Sequence, residues 1–423
     1  MRVYLSFLRV FTIACVLSTA ALGSTWAAGS EADRIAELER QLARMYERLQ
    51  VLETQVGRTA AVSVEPAPAP PAAGGWGGVT PLNAPQVAAG LPIHAFVDAG
   101  YARDSRDPTG RKGGFAVGNV NLYLTPSWGN SVKSIVELVF EQNARGEMLV
   151  DLERVQLGYT FDDRLTGWIG RYHTPFGYWN AAFHHGAQIQ TSILRPRFLA
   201  FEDQGGILPV HGVGLLGSGT FSLGGGRTKY DAYVANGSAI EDGQLVSRGA
   251  KDDDGKKMFG LNLRHEFGGG LEGLTVGAHA MTARVGSYDV AGTLLGATRL
   301  RVSGAYIAFE RDRWELLGEY YAFRNRDLSG GTGSHSSWAG YSQVGYTISD
   351  HLTPYIRLER ASLNQSDGYF STMHAGRSYR RQSIGLKYEL NPVTALKLEL
   401  GRTTEDVSGL RSNGFRTQIA VRF

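Results

Sequence analysis

The last eleven residues, NGFRTQIAVRF (413–423), alternate two kinds of side chain until the chain ends. From Phe415 onward every second side chain is apolar or β-branched, and those between are Arg416, Gln418, Ala420 and Arg422. Successive side chains of a strand point to opposite faces, so one face of this strand is apolar and the other polar and basic. Lipid cannot satisfy an open sheet edge. The stretch therefore predicts the strand that closes a membrane β-barrel against its first strand.

Segments of about ten residues with the same alternation precede this strand from residue 91 onward. Each is near the length that spans a bilayer as a tilted strand. They predict an all-β fold, a transmembrane antiparallel β-barrel of about sixteen strands over residues 91–423. The predicted strands are 91–102, 115–126, 132–142, 149–161, 165–174, 212–223, 227–236, 258–267, 271–285, 299–309, 313–323, 337–348, 352–363, 379–390, 395–404 and 414–423.

Short turns and long polar connections alternate between these strands, as in outer-membrane barrels with short periplasmic turns and long external loops. An even strand count from a periplasmic amino terminus places every long connection outside. Leu396, Leu398 and Leu400 alternate with Lys397 and Glu399, which predicts a polar face around a water-filled channel. Aromatic residues near strand ends either form interfacial girdles or pack on the sheet. They include Trp128, Trp168, Trp314 and Tyr346.

The composition suits such a barrel. The chain has 423 residues with 55 Gly, and its mean hydropathy is −0.19, because strands that are only half apolar average out. Of its 43 basic residues, Arg2 and Arg9 lie in a leader that carries no acid, so 41 bases face 40 acids in the remainder. This balance argues against a polyanionic partner such as nucleic acid.

Residues 1–27 read as a secretory signal peptide, with Arg2 and Arg9, an apolar run over 10–22, and small residues before a cleavage point. The single cysteine, Cys15, lies in this leader, and a lipoprotein signal around it is weak because Thr12 stands where a leucine-like residue is expected. After cleavage, neither a disulfide nor a cysteine metal site is expected.

A helix is predicted over 30–57, from a capping-box-like start at Ser30 to Gly57. Its apolar residues follow a 3, 4 spacing, which predicts a periplasmic coiled coil rather than a helix lying on a domain, whose apolar face is usually wider. The mixed apolar types leave dimer and trimer open. The seam residues are Ile35, Leu38, Leu42, Met45, Leu49, Leu52 and Val56. A linker rich in Pro, Ala and Gly follows over 58–90.

The connection over 175–211 is out of proportion, and it would be the third external loop. It is rich in apolar side chains, including Phe176, Trp179, Phe198 and Phe201. Long ordered loops usually carry function or pack against something. We therefore expect this loop to fold into the barrel and narrow it.

The stretch GRYHTPFG (170–177), with the strand number, the large third loop, the terminal Phe423 and the coiled coil, resembles the phosphate-selective porin O and P superfamily. That resemblance implies an outer-membrane porin, trimeric, with an inward third loop that forms the constriction and basic residues that select anions. It also implies that the assembly machinery of outer-membrane barrels recognises the chain end at Phe423.

The resemblance places Arg171, Arg195 and Arg197 at the constriction, and Glu202 and Asp203 follow them in the same loop. The pore wall is predicted to include Arg154, Arg301, Glu319, Arg357, Glu359, Arg381, Lys387 and Arg416. Mixed signs argue against strict phosphate selectivity and favour a transverse field that orients dipolar solutes. Alternatively, these charges only pair with one another along the wall.

The leading hypothesis is a passive channel for small hydrophilic, including anionic, solutes in the outer membrane of a Gram-negative bacterium. Its expected partners are outer-membrane lipid and copies of the same chain. A lipid hydrolase that uses His184 or His185 is the first alternative, and a structural barrel tethered through its coiled coil is the second. No cofactor is expected. His184 and His185 would point to opposite faces of a strand, so a metal site shared by them is not expected either.

Overall fold

The computed structural model describes residues 93–106, 113–142, 146–183, 186–249, 255–406 and 408–423. The signal peptide, coiled coil and linker predicted over 1–27, 30–57 and 58–90 lie outside these residues. So does the pair His184 and His185. Within the described residues, no helix is long and apolar enough to cross a membrane.

Sixteen antiparallel strands form one closed barrel, and each pairs with the next along the chain, as predicted. The strands are β1 (Ile93–Asp104), β2 (Gly114–Leu124), β3 (Val132–Gln142), β4 (Met148–Asp162), β5 (Leu165–His173), β6 (His211–Leu223), β7 (Gly226–Ala235), β8 (Met258–Glu266), β9 (Leu274–Tyr288), β10 (Leu294–Arg311), β11 (Trp314–Asp327), β12 (Ser334–Tyr346), β13 (Leu352–Ser362), β14 (Tyr379–Asn391), β15 (Thr394–Glu405) and β16 (Arg411–Arg422).

The barrel closes where β16 pairs with β1. The register runs from Phe96 opposite Arg422 to Asp104 opposite Gly414. Beyond it, the backbones of Ala95 and Phe423 exchange hydrogen bonds of 2.7 and 3.0 Å. The terminal stretch therefore has a partner on both sides, which leaves no free sheet edge there.

One end of the barrel carries short turns and the other carries the longer connections. Gly224 and Gly225 join β6 to β7 with φ angles of 56° and 77°, which a two-residue hairpin turn of this kind requires. The opposite end, called the loop end below, carries the connections 174–210, 236–257 and 363–378.

The sequence predicts a long polar loop over 237–257, but this stretch contains a hairpin, Ser238–Glu241 with Gln244–Ser247. Its first strand runs parallel to the end of β9. The turn residues Asp242 and Gly243 have φ angles of 46° and 73°, so an Asp-Gly hairpin signal was present in the sequence. The connection over 363–378 contains a short helix, α2 (Gly368–Ser371), with Tyr369 and Phe370 buried.

The largest cluster of buried apolar side chains lies inside the barrel, where the 174–210 connection meets the inner wall. The outer face carries exposed apolar residues, such as Ile356, Ile384 and Leu400. Near the turn end, Trp314 and Tyr346 lie side by side on that face, with 4.7 Å between ring centres. Apolar side chains outside and charged ones inside are the reverse of a water-soluble sheet.

The closing seam generates a prediction. A Cβ on Gly100 of β1 would collide with the backbone oxygen of Thr417 on β16. We expect Gly100→Val to force the two strands apart and to lower the stability by about 1–3 kcal/mol. The measurement is the urea midpoint at which the refolded barrel loses its compact electrophoretic mobility.

Gly114→Val on β2 is the matched control, because nothing lies within 4 Å of its Cβ position. Equal midpoints for the two variants would contradict a tight seam between β1 and β16.

Candidate pore constriction

Residues 174–210 connect β5 to β6 and lie against the inner wall of the barrel. They include the one-turn helix α1 (Trp179–Ala182) and a 3-10 turn, Arg197–Leu199. The Trp179 ring is 5.7 Å from the ring of Tyr341 on β12, and the Phe198 ring is 5.2 Å from that of Tyr321 on β11. Apolar loop residues and wall aromatics therefore form one packed layer. Its buried loop members are Phe176, Trp179, Phe183, Phe198, Leu199, Phe201, Ile207 and Leu208.

A carboxylate on the wall holds the start of this loop. Glu319 on β11 is buried and accepts the backbone N–H groups of Tyr178 and Trp179 at 2.8 and 2.7 Å. The hydroxyls of Tyr321 and Tyr341 donate to the same carboxylate at 2.8 Å each. One carboxyl group thus accepts four hydrogen bonds, two of them from the loop backbone, and these fix the start of the loop on the wall.

Two further carboxylates hold the middle of the loop. Glu399 on β15 accepts the backbone N–H groups of Ile193 and Leu194 at 2.9 and 3.1 Å. Glu359 on β13 accepts the backbone N–H of Arg197 at 2.7 Å. Three strands of the wall therefore supply acceptors for loop backbone that makes no sheet.

Basic side chains on the wall serve the loop carbonyl groups in the same way. Lys397 on β15 donates to the carbonyl oxygens of Ala187, Gln190 and Ser192, the last two at 2.5 and 3.2 Å. Arg357 on β13 is completely buried and donates to the Ser192 hydroxyl at 2.8 Å. The acidic side chains of the wall thus accept hydrogen bonds from loop N–H groups, and the basic side chains donate to loop C=O groups. Together they satisfy backbone groups that are buried away from water.

The three arginines predicted at the constriction lie in different surroundings. Arg171 on β5 is half-buried, with its guanidinium 3.6 Å from Glu153. Arg195 lies over the ring of Phe201, 3.9 Å from its centre. Arg197 keeps partial exposure and is 3.3 Å from Glu405. Only Arg171 and Arg197 present charge toward water beside an acid.

The two predicted acids of the loop differ as well. Asp203 is exposed, whereas Glu202 is buried and binds Nδ1 of His211 at 2.9 Å and the Ser247 hydroxyl at 2.7 Å. Burial by itself raises the pKa of the Glu202 carboxyl. The charge of His211 and the hydrogen bonds from His211 and Ser247 outweigh burial, so this pKa lies below its usual value. Glu202 therefore fastens the end of the loop to β6 and to the 238–247 hairpin.

The buried wall residues that hold the loop, Glu319, Glu359, Glu399, Arg357 and Lys397, are here called the anchoring layer. Four predicted pore-wall residues lie in it or beside it. Besides Glu319, Arg357 and Glu359, the guanidinium of Arg381 is 3.4 Å from Glu399. The assignment of these four residues to the pore wall stays a prediction. Their hydrogen-bond and ion-pair partners are largely loop backbone groups and other residues of the anchoring layer.

Three other predicted pore-wall residues pair with acids on the inner face. Arg154 contacts Glu137 at 2.5 Å, Arg416 contacts Asp104 at 2.5 Å, and Lys387 contacts Glu389 at 2.8 Å. These ion pairs match the alternative interpretation, in which the charges pair with one another along the wall.

Arg301 does not face the lumen. Tyr306 on the same strand points inward, since its hydroxyl donates to the buried Asn262, and Arg301 lies five positions before it, an odd offset that places it on the opposite face. Arg301 is exposed and its neighbour Val302 is buried. The structure therefore places Arg301 on the outer face. Alternation shows only which residues share a face, and here the apolar Leu300 and Val302 are buried in the cluster inside the barrel, which leaves Arg301 on the outer face.

A cluster of possible metal ligands was missed by the sequence analysis. Ligand atoms of Glu153, His173 and His211 lie within 4.8 Å of one another, because His173 and His211 are cross-strand partners at the base of the loop. His211 is engaged on both ring nitrogens, by Glu153 at 2.5 Å and by Glu202 at 2.9 Å. The cluster already forms an ion-pair network that ties the two ends of the loop together. Two histidines at strand ends 38 positions apart offered no local spacing signal.

The barrel is similar to solved structures of outer-membrane proteins. The anion-selective porin from Comamonas acidovorans gives a TM-score of 0.54 at 14% identity over 79% of this chain and 99% of that one. The outer-membrane channel DcaP of Acinetobacter baumannii gives 0.53 at 12%, over 79% and 97%. OmpT, an outer-membrane protein of Vibrio cholerae, in its trimer form, gives 0.52 at 11%, over 79% and 99%. No family model and no curated protein sequence matches. At these identities the similarity shows a shared sixteen-stranded fold.

The anchoring layer generates a second prediction. Glu319→Ala leaves two loop N–H groups and two tyrosine hydroxyls without their acceptor. Each buried polar group that is left without a partner costs about 1–3 kcal/mol. We expect a lower urea midpoint and faster trypsin cleavage within residues 174–210, detected by mass spectrometry.

Glu272→Ala, in the exposed turn before β9, is the control and should leave both readouts unchanged. If Glu319→Ala is as stable and as resistant as the unaltered chain, the carboxylate does not hold the loop.

Proposed function

We propose that this protein is a porin of the Gram-negative outer membrane, through which small hydrophilic solutes diffuse passively. The observation that carries the proposal is the inner face: it is lined by charged side chains, and a 37-residue connection lies against it, held by hydrogen bonds from three strands. A barrel that only anchored another part of the chain would need no ordered loop in its lumen. The similarity of fold to porins and channels supports the same function.

The finer proposal concerns the solute. Partly exposed bases and acids share the lumen. The bases are Arg171 and Arg197, and the acids are Asp151, Glu405 and Asp104. Opposite charges across a narrow passage create a transverse field that orients dipolar or anionic solutes, phosphate-like ones included. One similar structure is an anion-selective porin by its title, which is consistent with this proposal.

No described residue favours the lipid hydrolase or the structural tether. The hydrolase hypothesis used His184 or His185, and the tether used the helix over 30–57; both lie outside the described residues. Self-association remains part of the proposal, supported by the heptad seam of that helix and by the trimer form named for one similar structure.

Ion selectivity tests the channel. Arg171→Gln combined with Arg197→Gln removes two partly exposed positive charges from the lumen. In a planar bilayer under a salt gradient, we expect the unaltered protein to conduct. In the double variant the reversal potential should shift toward the cation value, because fewer fixed positive charges attract anions.

Arg311→Gln with Arg313→Gln removes the same charge at the turn β10–β11 and should leave the reversal potential in place. Absence of current from the unaltered, folded protein would exclude the channel function. An unchanged reversal potential in the Arg171 and Arg197 variant would mean that the 174–210 region is not the constriction.

The predicted coiled coil can be tested by its removal. A chain that lacks residues 31–56 should lose the apolar seam of its helix and dissociate more readily in mild detergent. The mass of the complex is measured by light scattering at decreasing protein concentration. An oligomer as stable as that of the full chain would contradict this role for the helix.

A further inference from the structure

Four arginines stand together on the outer face of β10 and β11. Arg299 and Arg301 have the outward parity of β10, and Arg324 and Arg326 have that of β11. All four are exposed, whereas four of the residues adjacent to them, which have the opposite parity, are buried. These buried neighbours are Leu300, Val302, Phe323 and Asn325. The positions therefore face away from the channel, toward whatever surrounds the barrel.

The arginines oppose one another across the strands. Arg299 is the cross-strand partner of Arg326 on one side and of Arg284 on the other. Like charges directly opposite in a sheet are destabilising. No hydrogen bond or ion pair joins the guanidinium groups of Arg299, Arg301, Arg324 and Arg326 to any described residue. The nearby carboxylate of Asp327 accepts the backbone N–H groups of Ser329, Gly331 and Thr332.

The same face is apolar below the arginines. On β11 the outward residues from Trp314 to Ala322 contain no charge, and Arg324 and Arg326 follow toward the loop end. This stretch rises roughly 20 Å along the barrel axis at ordinary strand rise and tilt, comparable to the apolar band of a membrane barrel. The arginines thus stand where an apolar band ends and polar surroundings begin.

Three further strands repeat the pattern at the same end. Outward Leu358 is followed by Arg360 on β13, and Leu400 is followed by Arg402 on β15. On β14, which runs the other way, Arg380 lies on the loop-end side of the outward apolar residues and pairs in register with Arg360. Unlike the four on β10 and β11, these have partners: Arg360 lies 5.8 Å from the Trp338 ring centre, and Arg380 is 3.2 Å from Asp406.

A shallow groove adjoins Arg299 and Arg301. It has a volume of about 970 Å³, crosses the outer face of β6 to β10, and has Arg299 and Arg301 at one edge. Most of its lining is apolar, including Leu215, Phe259 and Leu261. An elongated apolar ligand with an anionic end matches a groove of this composition.

We propose that Arg299, Arg301, Arg324 and Arg326, here called the arginine cluster, bind the phosphate-bearing head group of a membrane lipid, whose acyl chain lies in the groove. The planar guanidinium group binds phosphate oxygens with two parallel hydrogen bonds, and it does so best at the edge of an apolar medium. A bound phosphate also offsets the repulsion between the opposed arginines. The inference rests on the proposed membrane location and is independent of whether the barrel conducts.

Binding is tested with purified full-length protein and phosphatidic acid, a lipid with a phosphomonoester head group. Native mass spectrometry counts the lipids bound in a neutral detergent, and phosphatidylcholine serves as the zwitterionic comparison. We expect selective retention of phosphatidic acid that weakens as salt is added. Replacing all four arginines of the cluster by Gln should weaken it by roughly tenfold or more, since each base near an anionic lipid surface contributes to binding.

The matched control removes four arginines from the turn end: Arg164→Gln, Arg227→Gln, Arg311→Gln and Arg313→Gln. It should retain phosphatidic acid like the unaltered chain. Equal losses in both variants would show that net charge alone matters and would overturn the proposal, as would equal retention of the two lipids by the unaltered chain.

Current through the same samples separates this inference from the channel. Compact mobility and normal conductance in the cluster variant show that the barrel is intact, so a loss of lipid then belongs to the outer face. Unaltered protein that binds phosphatidic acid but passes no current would remove the proposed function and keep the lipid site. Unaltered protein that conducts but does not retain phosphatidic acid selectively would keep the proposed function and remove the lipid site.

Discussion

The pairing of β16 with β1 is the constraint on which the rest of the barrel depends. A sheet surrounded by lipid has no water to satisfy the N–H and C=O groups of a free edge, so it must close on itself. Closure divides every strand into an outward and an inward parity, and the two environments then select opposite side chains. Exposed Ile419 and buried Ala420, adjacent in β16, show this division at the seam itself.

Closure also creates an interior that must be organised. Without the loop, the inward charged side chains on β11, β13 and β15 would have only one another as partners. Here Glu319, Glu359 and Glu399 accept backbone N–H groups of the 174–210 loop, and Lys397 donates to its carbonyl oxygens. The loop supplies partners that the wall charges need, and the wall supplies partners that an irregular, buried backbone needs. This reciprocity explains how an apolar loop without sheet pairing lies ordered in a polar lumen.

The outer face follows the same logic with a different surrounding medium. Apolar side chains cover most of it, and arginines appear where the apolar band ends at the loop end. Alternation in the sequence predicted most strands and their faces. It missed the Asp242-Gly243 hairpin inside a polar connection, because the flanking strands have only four residues each. It also assigned Arg301 to the lumen, because alternation does not say which face is inward, and the apolar Leu300 and Val302 of this strand are buried inside the barrel.

Strand number, strand order and the parity of most faces followed from the sequence alone. The period of two is a local property of extended backbone, and a closed antiparallel barrel leaves little freedom once it is known. The partners of the inward charges were decided only by the tertiary structure. Glu319 meets Trp179 across 140 positions and Glu399 meets Ile193 across 206, and nothing in local spacing encodes such distances. Charged residues on a strand can pair with the wall, with water or with a loop, and only the path of the loop through the lumen selects among them.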